Sequence, residues 1–354
     1  MARQPLFILL ALLTVRAGAS AQTTFPQVSI GGVVYMNYQY NLTQTADSTK
    51  SIAGWTGTGP GPLDGFSTFN VERTYINVKG KLGDDVSFRI TPDIYRPSGG
   101  GGMAFRLKYA YADIAVAKDL TLRAGVQQTQ WIDFVDSHWK LRDVNMTITD
   151  MRGFFSSADL GLGVMYTLPG AYGDLNGYIF NGSGYGGSNP NGDGDKYKDL
   201  ALRVHLNPFA GVEPLKNLTV AGYGYFGKYG TGSEKNRFGG VVGYSGDFGG
   251  LGAEYDVRKD SSVTGTGFSV FGRVNVTPDA ALFGRFDHYN PDTDVSGVQE
   301  DFVVAGASYW LVKYATVALD YKLRLFGDHA KVKESDGTLT SSDGNVFLHL
   351  ILDF

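Results

Sequence analysis

Basic residues at alternate positions mark the early part of the sequence. In the stretch 70–82, Arg73, Lys79 and Lys81 fall on one face of a two-residue repeat, and apolar residues fall on the other. This period is that of a β-strand, whose successive side chains point to opposite faces. The three stretches that follow add inward-facing Arg89, Arg106, Lys108 and Arg123. A row of positive charge along such strands can attract anions, and a field of this kind inside a channel favours their passage.

Later stretches carry charges of both signs on the same polar face. Arg203, Lys322 and Arg324 alternate with apolar residues, and so do Glu254 and Asp320. Two interpretations stay open at this point. The cations produce a field that favours anions, or opposite charges pair across neighbouring strands and cancel.

No catalytic or metal-binding motif accompanies these charges. The five histidines are scattered without the spacing of metal ligands. Neither a G-x-S-x-G nucleophile elbow nor an H-E-x-x-H motif occurs. The stretch 189–199 has the oxygen-rich composition of a calcium loop, but Leu200 stands where the bidentate glutamate is needed. The sequence therefore predicts no enzyme, no cofactor and no bound metal.

The charged strands belong to a repeated pattern that runs through the chain. Sixteen stretches alternate polar and apolar residues, with Gly, Pro, Asn and Asp between them. Their apolar faces have no predicted helices to cover them, so lipid must do so, and a sheet in lipid must close to pair its backbone groups. Short connections alternate with long polar ones at 42–67, 129–158, 184–197 and 327–344. The predicted fold is all-β: a transmembrane antiparallel β-barrel of 16 strands with short periplasmic turns and long extracellular loops.

The two ends of the chain indicate where this barrel resides. Residues 1–21 have the basic start, apolar run and Ala19-Ser20-Ala21 ending of a secretory signal peptide. We predict that residues 22–354 form the barrel, in the outer membrane of a Gram-negative bacterium and surrounded by its lipid. Loss of the two leader arginines changes the formal charge from −4 to −6, which gives no case for a nucleic-acid partner. The last strand ends on Phe354 and must pair with the first strand if the barrel closes.

The stretch 129–158 is too long for an ordinary connection. It is rich in aromatic and charged residues: Trp131, Asp133, Asp136, His138, Lys140 and Arg142. Sixteen strands enclose an aqueous passage that needs narrowing, and charged loops of this kind select solutes in pores. We predict that this stretch folds into the lumen as a constriction loop. The alternative is an extracellular loop packed on the rim.

Three stretches resemble a known family: "FNVERTYINVKGKLGDDVSFRITPDI", "LKYAYADI" and "LTLRAGVQQTQWIDFVD". They look like the N-terminal half of the phosphate-selective porin O/P-type family, most clearly over residues 66–142. The resemblance implies a sixteen-stranded trimeric porin for small solutes. It also implies that Arg73, Arg89, Arg106 and Arg123 form part of a ladder of inward arginines, and that Phe354 is read by the outer-membrane assembly machinery.

These observations lead to one main functional hypothesis and two alternatives. The main one is an outer-membrane porin that passes small hydrophilic solutes or ions by passive diffusion and prefers anions. The predicted pore-lining residues are the seven cations of residues 73–123, the six residues of the loop named above, and Arg203, Lys322 and Arg324. The alternatives are a porin specific for phosphate or polyphosphate and a non-conducting barrel that acts as an adhesin or structural protein.

Overall fold

The computed structural model describes residues 26–43, 65–97, 102–186, 195–330, 332–333 and 339–354, so the predicted signal peptide lies outside the described residues. Sixteen antiparallel strands form one closed barrel. The strands are β1 (Gln27–Asn41), β2 (Ser67–Lys81), β3 (Val86–Tyr95), β4 (Ala104–Ala117), β5 (Leu120–Gln128), β6 (Ala158–Thr167), β7 (Gly173–Phe180), β8 (Asp199–Leu206), β9 (Leu218–Lys228), β10 (Glu234–Gly246), β11 (Gly249–Asp260), β12 (Val263–Thr277), β13 (Ala280–Asn290), β14 (Glu300–Val312), β15 (Ala315–Phe326) and, after a small separate hairpin of β16 (Val332–Lys333) and β17 (Leu339–Thr340), β18 (Ser342–Asp353). The predicted fold is confirmed.

The barrel closes where its last strand meets its first. β18 pairs with β1 from Val33 opposite Asp353 to Asn41 opposite Asn345. Gly32 and Phe354 exchange two backbone hydrogen bonds, N to O at 2.7 and 3.0 Å. The terminal residue therefore takes part in the closed hydrogen-bond ladder, which leaves no open edge in the sheet.

The strand faces divide as the alternation predicts. In β15, Leu319 and Leu325 are exposed on the outside, whereas Lys322 and Arg324 are buried on the inside. An apolar outer surface combined with a charged interior is the reverse of a soluble protein and suits a barrel whose solvent outside is lipid. Among the described residues, no helix has the length and apolarity needed to cross a membrane.

The connections are asymmetric, with two exceptions on the side that carries the long loops. β9 and β10 are joined there by residues 229–233, and β11 and β12 by residues 261–262 only. On the opposite, turn side, the longest connection is 207–217, which contains a 3-10 turn at Leu215–Asn217. These two hairpins are closed by the short turns Tyr-Gly-Thr-Gly-Ser and Ser-Ser, whereas the long connections lie where the sequence predicts them.

Both α-helices that the described residues contain lie within the stretch 129–158, here called the inner segment. α1 spans Ile132–Trp139 and α2 spans Ile148–Met151. α1 ends at Lys140, which adopts a left-handed conformation with φ of 59°. Ile132, Val135 and Trp139 form one buried stripe of α1, which packs this helix against the inward faces of β10, β11 and β12.

Candidate channel lining and inner segment

The register of β2 to β5 brings the predicted early cations onto one inner wall. Lys79 lies directly opposite Arg89, and Arg73 lies opposite Tyr95. On the next strand pairs, Asp93 faces Arg106 and Asp113 faces Arg123. The members of this wall, here called the cationic wall, are Arg73, Lys79, Lys81, Arg89, Arg106, Lys108 and Arg123.

Three of these arginines share two carboxylates of the same wall. Asp93 is fully buried and accepts hydrogen bonds from Arg73 Nη1 at 2.8 Å and Arg106 Nε at 2.9 Å. Asp113 accepts two from Arg123, at 2.6 and 2.8 Å. A close bidentate pair such as Arg123 and Asp113 has little net field, whereas Arg73 and Arg106 share one carboxylate and keep one net positive charge between them.

The turn-side end of the cationic wall has a different balance. Lys79, Lys81 and Arg89 line a cavity of about 530 Å³, and none of them forms an ion pair with a described residue. Arg89 instead donates to Asn77 Oδ1 at 2.7 Å and Thr91 Oγ1 at 3.0 Å. Asp113 also lines this cavity but is paired with Arg123. Like charges opposite each other in a sheet repel, so Lys79 and Arg89 create a site with an excess of positive charge.

Tyrosine rings hold the guanidinium groups of the cationic wall in place. The Arg106 guanidinium lies between the rings of Tyr95 and Tyr185, 3.9 and 4.5 Å from their centroids. Arg89 lies 4.5 Å from the ring centroid of Tyr109. Stacking on a ring face fixes the guanidinium plane, and N–H groups at the edge of each plane already donate to Asp93 or to Asn77 and Thr91.

The inner segment lies inside the barrel and packs on the wall opposite β2 to β5. Trp131 and Trp139 are fully buried. Trp131 donates Nε1–H to Glu254 Oε1 at 2.8 Å and packs on Tyr223. Trp139 meets Phe271 edge-on at a centroid distance of 5.9 Å. These contacts exclude a position on the outer rim, while the narrowing of the pore by this segment stays a prediction.

Most charged residues of the inner segment are only partly exposed. Asp133 reaches across to the cationic wall, where it accepts a hydrogen bond from Tyr109 Oη at 3.3 Å. Arg142 pairs with both Asp136 and Asp150. Burial raises the pKa of Asp136 to about 6, against the opposing effect of Arg142.

Two further residues of this segment were predicted to line the pore. Lys140 is exposed at the end of α1. His138 is half-buried and packs so closely on Gly243 that an added Cβ there would meet its ring at 2.7 Å. Burial lowers the pKa of His138, so this side chain is neutral at pH 7.

The later predicted cations project inward, but they lie on the part of the wall that the inner segment covers. Lys322 and Arg324 are only 2% and 3% exposed, and Trp131 is not exposed at all. These three residues therefore do not contact a water-filled passage in the structure. Arg203 is partly buried between Asp174, at 2.5 Å, and the inner segment.

Some inward cations are absent from the predicted set, among them two large and deeply buried arginines. Arg237 and Arg285 are 1% and 4% exposed and lie beneath the inner segment. Their polar-face positions in the alternating stretches of β10 and β13 are the signal that identifies them. No cluster of three or more His, Asp or Glu residues suited to a metal ion occurs in the part of the chain that the structure describes.

Comparison with known proteins agrees with this architecture. Residues 63–221 match the model of the family described as phosphate-selective porin O and P. The resemblance found over residues 66–142 is thereby confirmed, and it extends into β9. Among curated proteins, none matches the sequence.

Solved structures share the fold at low sequence identity. An anion-selective porin from Comamonas acidovorans is 10% identical, with a TM-score of 0.63, and the alignment covers 93% of this chain and 100% of that one. The outer membrane channel DcaP of Acinetobacter baumannii is 14% identical, with a TM-score of 0.63 and coverages of 93% and 97%. OmpT of Vibrio cholerae, in a trimer form, is 12% identical, with a TM-score of 0.59 and coverages of 93% and 99%.

Proposed function

We propose that this protein is an outer-membrane porin through which small hydrophilic solutes diffuse, with a preference for anions. The observation that carries the proposal is the turn-side cavity, where Lys79, Lys81 and Arg89 project into about 530 Å³ of space with no ion-pair partner among the described residues. Cations in a confined, low-dielectric passage raise the local concentration of anions. The match to a phosphate-selective porin family and the fold shared with an anion-selective porin support this reading.

The ion pairs inside the lumen show which inward cations can attract anions and which are cancelled by a neighbouring carboxylate. Cancellation holds for Arg123, which has a carboxylate of its own, and only in part for Arg73 and Arg106, which share Asp93. It does not hold for Arg89, Lys79 and Lys81. Anion preference is therefore assigned mainly to these three residues, with a smaller contribution from the charge that Arg73 and Arg106 retain.

The passage proposed here runs between the cationic wall and the inner segment, which acts as the constriction. Asp133 and Tyr109 meet across this gap, so they mark its narrow part. We further propose a homotrimer, supported by the trimer form of the structurally similar OmpT, and recognition of Phe354 by the barrel assembly machinery.

Single-channel recording of the mature chain in planar bilayers tests this function. We expect stepwise conductance and, under a salt gradient, a reversal potential with the sign of an anion-selective channel. Block of chloride current by phosphate at low concentration would identify a phosphate-specific pore, whereas weak block would identify a general one. A folded, inserted protein that carries no current would overturn the proposal in favour of an adhesin or structural barrel.

A further inference from the structure

A second group of cations lies inside the barrel, away from the cationic wall. Four strands each contribute one, and each cation donates a hydrogen bond to a backbone carbonyl of the inner segment. The pairs are Arg203 Nη1 to Gln130 O (3.1 Å), Arg237 Nε to Phe154 O (2.5 Å), Arg285 Nη1 to Met146 O (2.5 Å) and Lys322 Nζ to Val144 O. Because β8, β10, β13 and β15 are spread around the barrel, the four bonds hold the segment along its length.

Each of these cations also has a carboxylate of the barrel wall beside it. Arg203 pairs with Asp174, Arg237 with Asp260 and Arg285 with Asp287, while Lys322 Nζ lies 3.9 Å from Asp320. The charge of each cation is therefore balanced locally. Arg237, Arg285 and Lys322 are at most 4% exposed, so they cannot contact ions that pass through the lumen.

The carbonyls that accept these bonds come mostly from irregular backbone. Val144 and Met146 lie between α1 and α2, and Phe154 follows α2. A buried carbonyl outside regular structure needs a donor, and a charged donor forms a stronger bond than a neutral one. Because the acceptors are backbone atoms, these four bonds depend on the path of the segment and add to the attachment that its tryptophan side chains provide.

We propose that Arg203, Arg237, Arg285 and Lys322 are positioning residues that seat the inner segment and thereby set the width of the passage. Ion selectivity is left to the cationic wall. This inference rests on the proposed channel function, and it separates the inward cations into two groups with different effects on current. It reassigns Arg203 and Lys322, which the sequence placed among the selectivity residues.

The test compares Lys322→Met with Lys79→Met, the same substitution in the two groups. We expect Lys322→Met to raise the mean conductance and the open-channel noise while leaving the reversal potential unchanged. Lys79→Met should shift the reversal potential towards cations and leave the noise unchanged. Lys322→Arg, which keeps a charged donor, should keep the open-channel noise at the wild-type level. Arg203→Gln, at the least buried of the four sites, supplies a second variant if Lys322→Met does not fold.

A second readout does not depend on current. Trp131 and Trp139 lie on the inner segment and are fully buried, so a loosened segment should increase quenching of tryptophan fluorescence by acrylamide. Lys79→Met should leave quenching as in the wild type. Equal quenching in all variants, together with unchanged conductance in Lys322→Met and Arg203→Gln, would overturn the inference. If the wild type carries no current, the proposed function fails, but the quenching comparison still decides whether these residues seat the segment.

Discussion

Replacement of Arg89 by glutamine should lower the preference of the channel for anions. Arg89 carries the clearest uncompensated charge of the cationic wall, because its hydrogen-bond acceptors, Asn77 and Thr91, are neutral. Glutamine keeps a polar side chain that can still donate to Asn77, so the wall should retain its packing. The change then removes one positive charge and little else.

The size of the effect follows from Coulomb attraction in a salt solution. An anion in contact with the guanidinium, at a charge separation of about 4 Å, is stabilised by about 1 kcal/mol in water. Screening at 0.1 M ionic strength, where the Debye length is about 10 Å, reduces this to about 0.7 kcal/mol. A cation is disfavoured by the same amount, so the two effects together approach about 1.4 kcal/mol, or about tenfold. For ions that pass at about twice the distance, the same estimate gives about twofold.

The assay is the reversal potential of single channels under a gradient of potassium chloride. We expect the anion-to-cation permeability ratio to fall by between about two- and tenfold in Arg89→Gln, less at high salt because screening weakens the field. The control is the double variant Arg123→Gln with Asp113→Asn, which removes an ion pair from the same wall without changing its net charge. An unchanged ratio in Arg89→Gln, or an equal fall in the control, would refute the assignment of selectivity to unpaired charge.

Three further predictions concern the inner segment and the end of the chain. Burial raises the pKa values of Asp136 and Asp143 to about 6, so both are ionised above that pH and neutral below it. Anion preference should therefore rise as the pH falls from about 7.5 to 5. Asp136→Asn should weaken this pH dependence, which reversal-potential measurements report. Trp131→Phe deletes the hydrogen bond to buried Glu254 and should destabilise the barrel by about 1–3 kcal/mol, measured as a lower midpoint of denaturant unfolding, with Trp310→Phe as the control. Phe354→Ala keeps the backbone bonds to Gly32, so refolding in detergent should be preserved while the amount assembled in cells falls; equal loss in both assays would show that the side chain serves closure and not recognition.

The fold could be predicted because it depends on a two-residue period that each strand carries in its own sequence. β15 shows the reason: Leu319 and Leu325 must meet lipid, so Asp320, Lys322 and Arg324 must face inward. A one-residue error in register would reverse all of these faces. The period therefore fixes both the strand and its orientation, and sixteen such strands with no covering helices have only a closed barrel available.

The function of each inward charge could not be predicted in the same way, since it depends on neighbours in other strands. At the bulge between Thr91 and Pro92 of β3, the register with β4 shifts by one residue. Lys108 and Tyr109 both become buried inside as a result, and Lys108 Nζ donates to Tyr75 Oη at 3.2 Å. Alternation alone places only one of these two adjacent residues inward.

The dependence on distant neighbours also explains why the sequence places Lys322 and Arg89 in the same set of predicted pore-lining residues. Both are inward cations in alternating stretches, and nothing within either stretch distinguishes them. They differ because the inner segment covers β15 and leaves β3 open, a contact between residues 178 positions apart in the chain. The path of that segment follows from the packing of Trp131 and Trp139 on distant strands, which no local pattern encodes.

The negative formal charge of the chain, −4, is compatible with a preference for anions because ions respond to charge within about one Debye length, or about 10 Å. Many of the acids inside the barrel neutralise buried cations, as Asp93, Asp260 and Asp287 do. The negative charge of these acids is therefore neutralised by the cations beside them and repels an anion in the passage only weakly. What an entering ion experiences is set by the few side chains that remain without a partner, and at the turn-side cavity these are cations. Total charge is thus a poor guide to selectivity in this barrel, whereas the pairing of each inward residue is a direct one.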